Sequence, residues 1–286
     1  MKRVQSAIVL VLAAAAMVWS AVPARAVTAE EVMKKAEAAY MGLKSYSYTT
    51  NKEGLDTFAK KQAEKMQDAN KSLADSAGVE VEEKKTTGAD KMTYAMYNVK
   101  FAKPYILQMQ ILRLDLAPDL VIKGKMTYNS AKDPKSWYAK LELTPAPLKR
   151  SVKKDDASGF LTMGWSTTLL DMQNFAANGK AKYVGEEKAL GQACHVIEIS
   201  FGDWSKFKPI TPDWKKWQIP ADIQHLVKEN LADPKEKKYS KVKYWISKKE
   251  NFIIQVEKFR NGKFYWRDNF TKIKTNHLTK EDFSTK

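Results

Sequence analysis

Residues 241–274 read KVKYWISKKENFIIQVEKFRNGKFYWRDNFTKIK, three strand-like runs separated by two turns. Asn261-Gly262 is a strong short-range hairpin signal, and it closes either as a two-residue loop or as a three-residue loop with Gly262 left-handed in a bulge. The two-residue loop sets Val256 opposite Arg267. The three-residue loop sets Val256 opposite Trp266 and Phe252 opposite Phe270, which keeps the apolar side chains together, so the side chains favour it. The earlier turn at 247–251 then brings Ile246, Tyr244 and Val242 opposite Phe252, Ile254 and Val256. One face is apolar across three strands, and the other carries Lys243, Trp245, Ile253, Gln255, Glu257, Tyr265 and Arg267. This pattern predicts an antiparallel meander in a curved sheet with its core on one side.

The first residues belong to a different kind of segment. Lys2 and Arg3 precede an apolar run from Ala7 to Trp19, followed by Ala24-Arg25-Ala26. The run is too short for a comfortable membrane span and ends in a small-residue cleavage pattern, so 1–26 reads as a secretory signal peptide. The expected mature chain, 27–286, starts at Val27, which offers no thiol for lipid attachment. It is expected to be one exported domain, soluble in the periplasm. The formal net charge is +16, and removing Lys2, Arg3 and Arg25 leaves 46 basic against 33 acidic residues, or +13. That balance favours anionic partners, and in an exported protein these are membrane headgroups or envelope polymers before nucleic acid. Cys194 is the single cysteine, so no internal disulfide can form, and it reads as a buried strand residue.

Thr28-Ala29-Glu30-Glu31 has capping-box spacing, and Val32, Ala36, Ala39, Tyr40 and Leu43 follow at helical spacing up to Gly42. Residues 45–51, rich in Tyr and Thr, read as a first strand. Residues 52–90 are rich in Lys, Glu, Asp and Ala, with an amphipathic run through Leu55, Phe58, Met66 and Leu73. They read as a helical insertion, either resting on the sheet or serving as a lid with its apolar stripe inward. Strands are expected at 92–101, 105–113, 119–129 and 136–144. In them Met109 and Ile111 alternate with Gln108 and Gln110, and Trp137, Ala139 and Leu141 alternate with Tyr138 and Lys140. Residues 158–179 read as a helix capped by Ser158, with Leu161, Trp165, Leu169, Met172 and Ala176 on one stripe. A stripe that broad packs deep against a sheet or lines a cavity. Two more strands follow at 180–187 and 193–201. The segment 202–239 sets Trp204, Phe207, Trp214 and Trp217 among lysines and prolines, which suits a loop pinned by its rings or a membrane interface.

Nothing in the chain spells out catalysis. His195, His225 and His277 lack companions at zinc-ligand spacing. Asp155-Asp156, Glu186-Glu187 and Glu281-Asp282 are sequence neighbours whose side chains diverge in extended chain. Gly164-Trp165-Ser166-Thr167 lacks the second glycine of a nucleophile elbow and falls inside an expected helix. The expectation is therefore a protein without catalytic residues, metal or cofactor.

The order of elements adds a resemblance. A helix running into a Tyr-rich strand (29–48), Val99-Lys100-Phe101-Ala102-Lys103-Pro104, Gly124-Lys125-Met126-Thr127-Tyr128-Asn129 and the closing 245–283 meander resemble the outer-membrane lipoprotein-sorting (LolA-like) family. The resemblance implies an α+β fold, a curved antiparallel sheet forming a half-open barrel of about 10–11 strands covered by helices. It also implies a periplasmic carrier that holds acyl chains of lipoprotein or lipid cargo between inner- and outer-membrane partners, without catalysis. In that family the residue before the strand proline is an arginine that helps hold the lid. Here it is Lys103, which keeps the charge but not the planar fork. Candidate ligand-binding residues are then Lys103, Met109, Ile111, Trp137, Leu161, Trp165, Leu169, Trp245, Ile253 and Tyr265, with Trp165 and Leu169 on the lid. The alternative on the same fold is an envelope-stress sensor or protein-interaction module.

Overall fold

The first and last strands of the chain lie side by side in the middle of one sheet. A computed structural model describes residues 26–55, 92–117, 120–129, 138–144, 164–232, 238–279 and 281–283. From β1 (Ser45–Leu55) the chain steps outward through β2 (Met92–Ala102), β3 (Ile106–Ala117), β4 (Leu120–Asn129) and β5 (Tyr138–Thr144) to one edge. It resumes at the other edge with β6 (Lys180–Ala189) and returns through β7 (Gln192–Ser200), β8 (Lys241–Ser247) and β9 (Ile253–Arg260) to β10 (Lys263–Thr275), which pairs with β1. All nine pairings are antiparallel. The sheet is curved and unclosed, so the α+β half-barrel implied by the resemblance is the observed architecture, with ten strands among the described residues.

Among the described residues four α-helices accompany the sheet: α1 (Ala29–Met41), α2 (Trp165–Asn178), α3 (Trp214–Trp217) and α4 (Gln224–Ala232). The capping box of α1 forms as its spacing predicts. Glu31 N donates to Thr28 Oγ1 at 3.2 Å and Thr28 N donates back to Glu31 Oε2 at 3.0 Å. Gly42 ends the helix. The start of α2 differs from expectation. Gly164 is its N-cap with extended backbone (φ −167°, ψ 162°), so the helix begins at Trp165 rather than at Ser158. Thr167 supplies the cap that glycine lacks, its Oγ1 accepting from Gly164 N at 3.2 Å and donating to Gly164 O at 2.8 Å. Residues 158–163 lie outside the described residues. So does most of the expected insertion, although 52–55 are strand, because β1 runs on to Leu55.

The meander forms with a different register. Asn261 (φ 49°) and Gly262 (φ 75°) make a two-residue turn that pairs Arg260 with Lys263. A bulge at Tyr265 then absorbs the frame conflict that had argued for the longer loop, setting Trp266 opposite Lys258 and Val256 opposite Asp268. The expected Val256–Trp266 and Phe252–Phe270 pairs do not form. A second bulge at Ile254 sets Ile246 opposite Ile253, while Tyr244 pairs with Val256 rather than Ile254 and Val242 with Lys258.

The bulge at Ile254 also divides two consecutive isoleucines between the faces. Ile253 joins the core beneath the helices, with Val242, Tyr244, Ile246 and Val256. Ile254 joins Cys194, Val196 and Trp245 in a smaller cluster on the opposite face. The sheet therefore buries apolar residues on both sides at this corner, which corrects the one-sided expectation, and the apolar face is the one that meets the helices. Cys194 is fully buried, and burial pushes its thiol up, as fits an inert core residue.

Candidate functional site

Beneath the helices the centre of the sheet is aromatic. Alternation on β1 turns Tyr46 and Tyr48 to the same face, and their partners Phe101 and Val99 on β2 follow. Trp165, the first residue of α2, lies among them with ring centroids 4.8 Å from Tyr46, 5.3 Å from Tyr48 and 4.7 Å from Phe252. Its backbone N–H donates to Tyr46 Oη at 3.1 Å. Tyr40 of α1 stacks on Trp217 of α3 at 5.6 Å. The space left between Ala36, Tyr40, Trp165, Leu169, Phe252 and Ile253 is only about 10 Å³, so among the described residues this part of the interior is filled by its own side chains.

Closure leaves polar atoms poorly served. Trp165 is 2 % exposed, yet its Nε1 meets no acceptor among the described residues. The hydroxyls of Tyr40 and Ser166 are neighbours outside hydrogen-bond geometry. Burial pushes the Tyr40 phenol up to about 12 and holds Tyr46 and Tyr48 well above the ordinary tyrosine range. These phenols stay neutral at any physiological pH. The chamber can donate single hydrogen bonds and offer apolar surface, and little else.

Charge sits further along the same face. Asp268, on β10, is buried and ion-paired to Lys52 of β1 at 3.2 Å. Burial alone would raise its carboxyl, but Lys52 and Lys258 outweigh burial and hold it below the usual range. On the opposite face Arg267 bridges Glu257 and Glu53, tying β9, β10 and β1 together.

Seven of the sequence-derived candidates share the main core or its margin. Met109, Ile111, Trp165, Leu169 and Ile253 are buried in it. Lys103 stands at its edge, where its Nζ donates to Met41 O at 2.8 Å and lies 5.7 Å from the Tyr40 ring centroid, so it closes the C-terminal end of α1. Trp245 is elsewhere. It faces away from the helices, with its Nε1 donating to Glu187 Oε2 at 2.8 Å and Lys243 Nζ 4.8 Å from its ring. Ile253 and Trp245 were expected to share a face, and the bulge at Ile254 separates them. Tyr265 packs at the margin under the Arg260 guanidinium at 3.7 Å. Trp137 and Leu161 lie outside the described residues.

Sequence reasoning missed Tyr40, Tyr46, Tyr48 and Phe252 as the lining. It also missed Lys52, Lys258 and Asp268, charged residues that share strand parity with apolar neighbours; that parity was the signal available. The Trp-rich segment turns its rings inward. Trp204 packs on Phe201 at 4.6 Å and Phe207 at 5.1 Å and donates its Nε1 to Tyr239 O at 2.8 Å, as a pinned loop would. The pair Glu186 and Glu187 diverges, the first to Lys248 and the second to Trp245. Among the described residues no group of three His, Cys, Asp or Glu gathers in metal-binding geometry, and no helix is long and apolar enough to cross a membrane.

No protein-family model and no curated protein matches the sequence. Among solved structures, the chain is similar to the Pseudomonas aeruginosa MucA/MucB complex structure (10% identity, 90% of this chain and 61% of that one, TM-score 0.41). It is also similar to the Mycobacterium tuberculosis lipoprotein LppX (8%, 87% and 94%, 0.37). A third is a putative outer membrane lipoprotein-sorting protein domain from Vibrio parahaemolyticus (11%, 90% and 97%, 0.27). The chain thus spans about three fifths of the first of these.

Proposed function

We propose that this protein is a non-enzymatic carrier of acylated ligands in the cell envelope, taking an acyl chain into the chamber that Trp165 now fills. One observation supports this most directly: a tryptophan buried at the centre of an aromatic chamber with its indole N–H unsatisfied among the described residues. An unmet buried donor costs about 1–3 kcal/mol, so the closed state holds a cost that is relieved when Trp165 leaves. Hiding a methylene from water is worth ~0.8 kcal/mol, and a 16-carbon chain offers roughly 12 kcal/mol as an upper bound. A site that collapses on its own side chains when empty offsets part of that gain, which permits release as well as capture.

The fastenings of α2 are uneven in a way that suits such a motion. At its C-terminal half, Asn174 Nδ2 donates to Leu231 O at 3.0 Å and its Oδ1 accepts from Ile210 N at 2.9 Å. Asn178 holds Lys208 through both its amide nitrogen and its oxygen, at 2.9 and 2.7 Å. Among the described residues the N-terminal end is joined to the sheet by the bond from Trp165 N to Tyr46 Oη and carries a cap that uses its own Thr167. Opening at that end breaks fewer of the described cross-element side-chain bonds than opening at the C-terminal half. The cargo, any donor and acceptor proteins, and a periplasmic location belong to this proposal, as does the basic surface as a means of approaching anionic membranes. Native mass spectrometry of protein recovered from the periplasm tests it. A co-purifying lipid or lipopeptide is expected, and its absence together with failure to take up a fluorescent fatty acid would overturn the reading.

A further inference from the structure

Helices α1 and α2 lie side by side, joined where Gln173 Nε2 donates to Glu37 Oε2 at 2.7 Å. Further along the seam Tyr40 of α1 and Ser166 of α2 bring their hydroxyls near one another, and neither meets a hydrogen-bond partner among the described residues. Tyr40 is 2 % exposed and Ser166 is fully buried, so bulk water does not serve them. A Cβ placed on Gly164 would lie 3.2 Å from Tyr46 Oη and 3.3 Å from Ser166 Oγ, so Tyr46 flanks the same spot, its oxygen already accepting from Trp165 N. The seam also borders the small cavity between Tyr40 and Trp165, which has about the room of one water-sized atom. The start of α2 has a glycine N-cap and no acidic residue in its first turn, so the helix supplies no anion of its own to the positive end of its dipole. Phenylalanine at 40 and alanine at 166 would fill nearly the same space without leaving a buried hydroxyl unmet, so the two hydroxyls weigh against the closed state.

We propose that Tyr40 and Ser166 receive the carbonyl oxygen of the ligand's acyl linkage, so that the cargo is a chain joined through an ester or an amide. This rests on the carrier reading above and narrows it. The carbonyl is held at the seam while the chain takes the space of Trp165. A carbonyl oxygen has two lone pairs and accepts from both hydroxyls at once, and the positive end of α2 favours its partial negative charge. Tyr40 belongs to α1, which is fastened at one end by its capping box and at the other by Lys103, so it supplies a fixed donor. Ser166 sits on the end of α2 that moves in the carrier reading and supplies a donor that closes onto the ligand. Burial keeps the Tyr40 phenol protonated, pushed up to about 12, so it remains a donor whenever a ligand arrives. A chain without a carbonyl leaves both hydroxyls unmet and binds less well.

The test compares methyl laurate and N-methyl lauramide with dodecyl methyl ether, which is the ester's skeleton without its carbonyl oxygen. Binding is read by displacement of the neutral fluorescent probe N-phenyl-1-naphthylamine from the purified protein. Wild type is expected to bind the ester and the amide about tenfold more tightly than the ether. Tyr40→Phe and Ser166→Ala are each expected to reduce that ratio, and the double variant to bring it near one with affinity for the ether unchanged. Because neither hydroxyl is bonded in the closed protein, each single variant is expected to unfold in urea at a midpoint no lower than wild type. A preference confined to the ester or to the amide supports the assignment and names the linkage. Equal binding of ester, amide and ether by wild type, or an unchanged ratio in the double variant, would overturn the carbonyl assignment while leaving the carrier reading standing. A lowered urea midpoint in both single variants would overturn it too, since a buried water would then already serve the hydroxyls. Failure of all three long-chain ligands to bind would instead overturn the carrier reading itself.

Discussion

Trp165 combines good packing with a poor hydrogen-bond account, and the two can be separated by substitution. Trp165→Phe keeps an aromatic ring among Tyr46, Tyr48 and Phe252 but removes the orphaned N–H. The lost area and the lost penalty are each about 1–3 kcal/mol, so the variant is expected to unfold within about 1 kcal/mol of wild type in urea. Trp165→Ala forfeits the packing outright and is expected to lose about 3–5 kcal/mol. If phenylalanine costs as much as alanine, the indole nitrogen is satisfied in solution. Gly54 makes the opposite point about space. A Cβ there would stand 1.9 Å from Trp266 Cε3, so the indole lies flat against glycine backbone. Gly54→Ala is expected to cost about 1–3 kcal/mol by overpacking, and to cost much less when combined with Trp266→Ala, a non-additivity that a double-mutant cycle in urea would measure.

At the scale of elements, α2 is held by Asn174 and Asn178 to the loop that follows β7. Replacing both with alanine should lower stability by about 2–4 kcal/mol and make the 202–239 segment the first site of limited proteolysis, if these bonds fasten it. Equal protection of that segment in the variant would show that the rings of Trp204 and Trp217 suffice. The elements were largely legible in the sequence, because capping residues, glycines and alternation are local. The capping box of α1 and the short strands between polar turns needed no partner to be recognised. Register was not legible. Asn261-Gly262 announced a hairpin, but whether a bulge falls in the turn or at Tyr265 depends on which side chains the neighbouring strands can accept, and that is set by β1 and β8. The start of α2 failed for a similar reason, since Trp165 begins the helix where Tyr46 can accept its backbone N–H.

For the molecule as a whole, the half-barrel was legible from the order of elements, while the identity of its lining was not. Met109 and Leu169 declared themselves by periodicity. Tyr46 and Tyr48 became lining only because the chain's two ends meet at β1 and β10, a long-range pairing that leaves no local mark. The same buried phenols set the alkaline limit of the fold. The folded-state values of Tyr40 and Tyr97 are pushed up to about 12 by burial, with Asp268 adding to the second, and burial holds Tyr46, Tyr48, Tyr105 and Tyr244 above the ordinary range too. A raised value favours the neutral form in the folded state, so this stability is complete below pH 10 and is lost as pH rises toward 12, by about 2–3 kcal/mol each for Tyr40 and Tyr97. Tyrosinate absorbance at 295 nm should therefore rise together with the loss of far-UV circular dichroism. Full titration near pH 10 with the fold intact would mean that the phenols are accessible.

The most direct test of the carrier account is photo-crosslinking with a diazirine-bearing fatty acid, mapped by peptide mass spectrometry. The account predicts adducts on the chamber lining, at Tyr46, Tyr48, Leu169 and Phe252, suppressed by excess unlabelled palmitate. Adducts confined to the opposite face around Trp245, or none that palmitate suppresses, would contradict it.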